Sequence, residues 1–112
     1  MKANHLLQVF LLLSLIASPV IGAKLKVLLV DGQNNHNWKA TSPVLVDALE
    51  SSGHFAVTVS TSPRRGAPKE AWEKWSPEFR AHDVTLSNYN GQSWPEKTQK
   101  ELLAYVKAGG AL

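Results

Sequence analysis

From Lys24 to Val30 the chain is an almost unbroken run of aliphatic positions, Leu25, Val27, Leu28, Leu29 and Val30, without the alternation of a half-exposed strand. That pattern predicts a central parallel strand covered on both faces. A polar loop follows, Asp31 to Trp38. Ser42 then precedes Pro43, the pairing of a helix cap with a first-turn proline, so a helix is expected over Pro43–Ser51 with Val44, Leu45, Ala48 and Leu49 toward the sheet. Gly53 ends it. Phe55 to Ser60 alternates apolar and polar, as a more peripheral strand does. Residues 61–82 are punctuated by Pro63, Gly66, Pro68 and Pro77 and read as loop with one short helix over Lys69–Trp75, whose Trp72 and Trp75 share a face. Asp83–Ser87 is the third strand. A helix starting at Ser93 or Trp94, with Pro95 and Glu96 in its first turn, places Leu102, Tyr105 and Val106 on one face with Leu103 beside it. Gly109 and Gly110 stop that helix, and Ala111–Leu112 opens a fourth strand, where the fold is expected to be truncated.

Strand and helix in strict alternation imply right-handed crossovers and a parallel sheet. The expected fold class is α/β, a flavodoxin-like doubly wound parallel sheet of order 2-1-3-4-5, truncated at the start of its fourth strand. In such sheets ligands lie beyond the carboxyl ends of the strands where the winding reverses, here between the first and third strands. The loops leaving those strands, 31–38 and 88–94, are also the two loops of the chain rich in amides and aromatics. Topology and composition therefore nominate the same crevice.

Residues 1–23 stand apart. Lys2, an apolar run from Leu6 to Ala17, Ser18-Pro19 and the small residues Gly22 and Ala23 follow the order of a secretory signal peptide, too short in its apolar core to span a bilayer. The mature chain, 24–112, is then expected to be secreted or periplasmic and without stable membrane insertion. Removing Lys2 takes the 12 basic side chains to 11 against nine acids, a formal +2. No run concentrates that charge, and Arg64-Arg65, the one basic doublet, reads as a solvated loop, which excludes a nucleic-acid partner. The chain holds no cysteine, so it has no disulfide, thiol nucleophile or lipid-anchoring cysteine.

Amides that donate and accept, next to indole and phenol faces, suit a polyhydroxylated small molecule, a carbohydrate ligand. The binding candidates are Asn34, Asn35, Trp38, Asn88, Tyr89, Asn90, Gly91 and Trp94. Asn34, Asn35 and Asn90 also read as ordinary turn formers, and Trp38 reads as packing the base of its loop rather than stacking on ligand. His36 is the one histidine in a strand-end loop and the candidate acid or base, with Asp31 placed to orient it. His54 and His82 fall outside the crevice. With no second ligand at metal spacing, no metal site is expected. The loop after the first strand lacks a G-x-G-x-x-G or G-x-x-x-x-G-K phosphate cradle, and no G-x-S-x-G elbow occurs. The sequence specifies neither a cofactor nor an oligomeric state.

Val27-Leu-Leu-Val-Asp-Gly32, His36-Asn-Trp38 followed by Thr41, Trp75-Ser-Pro-Glu-Phe79, Asp83-Val84 through Asn88-Tyr-Asn-Gly91, and Trp94-Pro95 to Gly109-Gly110 together resemble the opening half of the ThuA-like family. That family is named for trehalose utilisation and is related in fold to class I glutamine amidotransferases. The resemblance implies a flavodoxin-like sheet and a link to carbohydrate metabolism. It matches the family's His-x-Trp segment to His36 and Trp38 and its Asn-Tyr-x-Gly loop to Asn88, Tyr89 and Gly91. The expected function is action on, or binding of, a sugar or sugar derivative. The alternatives are a non-catalytic carbohydrate-binding or interaction module, and an amidotransferase relative with its cysteine just beyond Leu112.

A three-strand sheet leaves the far edge of its third strand unpaired, and about 89 residues bury only some 60–70% of their unfolded surface. The 24–112 segment alone is expected to be marginally stable or aggregation-prone. Thermal unfolding followed by circular dichroism checks this, and a cooperative transition from a soluble monomer would contradict it.

Overall fold

A computed structural model describes residues 22–112; the expected signal peptide lies almost wholly outside them. The chain runs β1 (Leu25–Asp31), α1 (Trp38–Ser51), β2 (Phe55–Thr61), α2 (Lys69–Lys74), a single 3-10 turn (Phe79–Ala81), β3 (Val84–Ser87) and α3 (Glu96–Lys107). The three strands form one parallel sheet of order β2-β1-β3, as the alternation of elements requires. β1 pairs along its whole length with β2, from Leu25 opposite Phe55 to Asp31 opposite Thr61, and with β3 from Val27 opposite Val84 to Val30 opposite Ser87. Beyond β3, Ala111 makes a single isolated parallel bridge to Val84, just after Gly109-Gly110 ends α3.

Val27, Leu28, Leu29, Val30 and Asp31 are all almost fully removed from water, which explains the absence of alternation in β1. The two faces of the sheet are covered differently. Leu28 and Val30 pack with Phe79 and Tyr105, and Trp75, Trp94 and Leu102 close around them. On the opposite face α1 lies against β1 and β2. Tyr105 reaches from α3 to the start of β3, donating its phenol to the Asp83 carbonyl at 2.9 Å, with the Ala111 carbonyl 3.1 Å away.

The helices differ in phase from the sequence expectation. α1 starts at Trp38 rather than Pro43, with the Asn37 carbonyl accepting from both Ala40 and Thr41 at 3.1 Å. Ser42 is therefore no cap. It lies inside the helix, buried, and its hydroxyl accepts a bond from Asn88. Burying Ser42 sets the inward stripe at Ser42, Leu45 and Val46, and Leu49, so Val44 and Ala48 point to solvent. α3 starts at Glu96, two or three residues later than the expected start at Ser93 or Trp94, because Pro95 takes the flanking position with extended backbone. Its buried stripe is Thr98, Leu102 and Tyr105, leaving Leu103 and Val106 exposed. The 3-10 turn lies within the stretch expected to be loop, and its Phe79 is a core residue.

Thr85 sits in β3 with its hydroxyl buried and without a hydrogen-bond partner among the described residues; nothing in the structure explains it.

Two glycines illustrate the difference between conformational and steric need. Gly32, with φ +118°, carries the chain out of β1 against Ser62; a Cβ there would collide with the Ser62 hydroxyl and lie 2.7 Å from the Ser62 backbone N and O. Gly53, with φ +78°, has open space around it. In urea unfolding of the full-length protein, Gly53→Ala is expected to cost about 1 kcal/mol and Gly32→Ala about 3 kcal/mol, since strain and overpacking act together there.

Candidate functional site

Parallel pairing of β1 with β3 brings the 31–38 and 88–94 loops side by side at the carboxyl end of the sheet, as the topology requires. The loops are laced together. The Asn88 backbone N–H extends the ladder by donating to the Val30 carbonyl at 2.9 Å. Its side-chain amide donates to Thr41 Oγ1 and Ser42 Oγ, both at 3.0 Å. The Asn34 amide in turn donates to the Asn88 carbonyl at 3.2 Å and lies 3.4 Å from Asn88 Oδ1. Asn88 is only 8% exposed, and its hydrogen-bonding capacity is taken up by β1, α1 and the neighbouring loop.

Gln33 is the residue sequence reasoning passed over. It is 7% exposed, its Nε2 donates to the Pro63 carbonyl at 2.9 Å, its Oε1 accepts from Gln92 N at 3.0 Å, and its backbone carbonyl accepts from Asn90 N at 2.9 Å. One side chain thus ties three loops. A signal was present: Gln33 is the polar residue directly after the Asp31-Gly32 strand end, where a buried group must bridge whatever loops meet there. Gly91 is needed because a Cβ would strike the Gln33 side chain and lie 2.8 Å from the Tyr89 hydroxyl.

Tyr89 is half-buried and donates to the Gln92 carbonyl at 2.6 Å, closing its own loop. Its ring lies 5.4 Å from Trp94, centroid to centroid, and Trp94 continues into the core through Trp75 at 5.4 Å and Phe79 at 6.1 Å. Burial raises the Tyr89 phenol above its ordinary pKa, while the Ser62 hydroxyl, the Trp94 indole and the Arg65 charge pull the other way. Tyr89, Asn90, Gly91, Gln92, Ser93 and Trp94, with Gln99, line a shallow cleft of about 320 Å³ that contains no charged side chain.

Asp31 and Trp38 belong to a different depression. Asp31 is 2% exposed and its Oδ1 accepts from Thr61 Oγ1 at 2.7 Å. With Trp38 and Ser42 it lines a cleft of about 520 Å³ between α1 and β2. Lys39 stands over the Trp38 ring, 5.7 Å from its centroid. No hydrogen bond joins Asp31 to His36. Among the described residues the side chains of Asn35, His36 and Asn90 make no hydrogen bond at all, and all three are exposed. The structure therefore brings Asn34, Asn88, Tyr89, Gly91 and Trp94 together, puts Asp31 and Trp38 on the α1 side, and leaves Asn35, His36 and Asn90 free at the rim. His54 is exposed at the opposite end of β2, and His82 Nδ1 is engaged 2.8 Å from the Glu78 carbonyl. A larger cleft, about 870 Å³ between the 3-10 turn and α3, is lined by Phe79, Arg80, Lys97 and Lys100 among others and takes in none of the crevice residues. No group of three or more histidine, cysteine or carboxylate side chains among the described residues could hold a metal.

Committed and free amides differ in what their loss does. Asn88→Ala is expected to cost about 2–3 kcal/mol in thermal unfolding, because several buried partners lose their bonds together. Asn35→Ala and Asn90→Ala are expected to stay within about 0.5 kcal/mol.

No family model matches the chain, and no curated protein matches it. A crystal structure of a protein from Parabacteroides merdae, described as ThuA-like, superposes on it with a TM-score of 0.73 at 40% sequence identity. The match covers 79% of this chain and 30% of that one, so the chain spans under a third of its relative's length. Over the residues that match, in sequence and in fold, this chain is a segment of the ThuA-like family.

Proposed function

We propose that the carboxyl end of this sheet contributes to a site that acts on or binds a sugar or sugar derivative. The observation that carries the reading is the identity of what remains uncommitted there. Once Asn88, Asn34 and Gln33 are spent on joining the loops, the free groups are the Asn35 and Asn90 amides and the His36 imidazole, beside the Tyr89–Trp94 pair. Amides suit hydroxyl groups, aromatic faces suit the apolar face of a sugar ring, and a solvent-facing imidazole is an acid–base group. The likeness to a ThuA-like protein supports the sugar connection by family name. The opening pattern of residues 1–23 supports export, with the site working outside the cytoplasm.

In the enzymatic form of this reading His36 is the general acid or base, and Asn90 and Tyr89 position hydroxyls. Asp31 is bonded to Thr61, so an orienting partner for His36 would have to come from elsewhere. That same observation favours a second reading, a non-catalytic carbohydrate-binding module built on the same loops.

His36→Ala in the full-length protein separates them. Against a panel of mono- and disaccharides, the enzymatic reading expects turnover to fall by about 10²–10⁴-fold with binding retained. Unchanged behaviour by calorimetry and by product formation would favour the module.

A further inference from the structure

Arg64 and Arg65 are both exposed, and among the described residues neither is paired with a carboxylate; the ion pairs there are Lys69–Glu73, Lys97–Glu101 and Lys100–Glu96, all within helices. Exposure agrees with a solvated turn. Their anchorage is what sets them apart. The turn is closed by Ala67 N donating to the Arg64 carbonyl at 3.0 Å. The residue before the doublet, Pro63, accepts from Gln33 Nε2 at 2.9 Å, and the residue after it, Gly66, donates to Gln92 Oε1 at 3.2 Å. Upstream, Ser62 N donates to the Asp31 carbonyl at 2.9 Å. Gln33 belongs to the loop leaving β1 and Gln92 to the loop leaving β3. The two arginines are therefore held between fixed points on both loops of the crevice, at the same end of the sheet as the free His36, Asn35 and Asn90. Arg65 is close enough for its charge to act on the Tyr89 phenol.

The local charge is one-sided. The Tyr89–Trp94 cleft has no charged lining residue. The carboxylate nearest the strand ends, Asp31, is buried and bonded to Thr61, and Asp47 and Glu50 lie along the cleft on the α1 side. Lys39 is a further exposed cation in the first turn of α1. A guanidinium presents a planar fork of donors matched to a phosphate or carboxylate, and two in sequence on an anchored turn lose less freedom on binding than they would on a loose one.

We propose that Arg64 and Arg65 recognise the anionic group, phosphate or carboxylate, of a sugar held between the loops that leave β1 and β3. The assignment rests on the sugar-site reading above and adds to it the charge of the ligand. The doublet is a specificity element, and the amides and aromatics of the crevice would receive the neutral part of the same molecule.

Calorimetric titration of the full-length protein with glucose, glucuronate and glucose 6-phosphate at low ionic strength tests it. One of the two anions is expected to bind about tenfold or more tightly than glucose, about the worth of one charge-assisted hydrogen bond; which anion does so distinguishes carboxylate from phosphate. The Arg64→Gln, Arg65→Gln double variant, with its fold checked by circular dichroism, is expected to lose that preference while its glucose affinity stays the same. Raising ionic strength from about 0.01 to about 0.15 M shortens the screening length from about 30 to about 8 Å and is expected to shrink the preference in the parent protein. Equal affinity for all three sugars overturns the anion assignment and leaves the sugar site standing. An anion preference that survives in the double variant overturns the role of these arginines. Absence of binding by all three overturns both readings.

Discussion

The buried amide of Asn88 is the constraint on which the carboxyl end of this sheet depends. A primary amide removed from water has two donors and an acceptor to satisfy, and leaving any of them bare costs free energy comparable to several ordinary contacts. Thr41 and Ser42 supply the acceptors, and that requirement starts α1 five residues earlier than its proline signal and turns its buried stripe onto Ser42. Asn34 Nδ2, from the adjoining loop, lies 3.4 Å from the Asn88 side-chain oxygen and also donates to the Asn88 backbone carbonyl at 3.2 Å. Gln33 repeats the device one residue earlier, toward β2 and the 88–94 loop. Loops that composition marks as adaptable are thereby held by a polar network, and the groups left for chemistry are those the network does not use.

The opposite face of the sheet is organised by aromatics. Trp72, Trp75, Trp94, Phe79 and Tyr105 form a continuous series with centroids 5.4–6.1 Å apart, in edge and tilted geometries with one stacked pair. Trp75 adds a hydrogen bond from Nε1 to Ser60 Oγ at 3.1 Å, fastening the series to β2. Surface ion pairs contribute little beside this, since the three among the described residues are exposed i,i+4 pairs worth about 0.3–0.5 kcal/mol each. Tyr89 joins the series through Trp94, so the edge of the candidate site and the packing of the core share a side chain.

What was legible in the sequence follows from where the physics is local. β1 announces itself because a strand covered on both faces must be apolar throughout, and the strand order follows from alternation and handedness. The crevice between β1 and β3 was legible for the same reason. The start of α1 was not, because Ser42-Pro43 is a good local cap signal overridden by an Asn 46 residues away. The phase of α3 was misread at Val106 because a hydrophobic stripe one residue too wide fits several rotations, and only Thr98, a polar residue, decides among them by being buried. The division of the site residues between two clefts was equally hidden: neighbours in sequence such as Asp31 and Gln33 end on different sides of the loop they share.

Placing the first strand at the centre also sets the order of events during synthesis. β1 is complete only when β3 reaches it, and the hydrogen bond from Lys26 N to the Asp83 carboxylate spans 57 residues. At translation rates of about 5–20 residues per second, the most apolar segment of the described chain waits roughly 3–11 seconds for its second neighbour. During that interval Val27 to Val30 is an open strand edge in a nascent chain, suited to pairing with another copy or to a chaperone that reads extended apolar sequence. The same burial that makes β1 the organising element of the finished fold makes it the most hazardous part of the unfinished one.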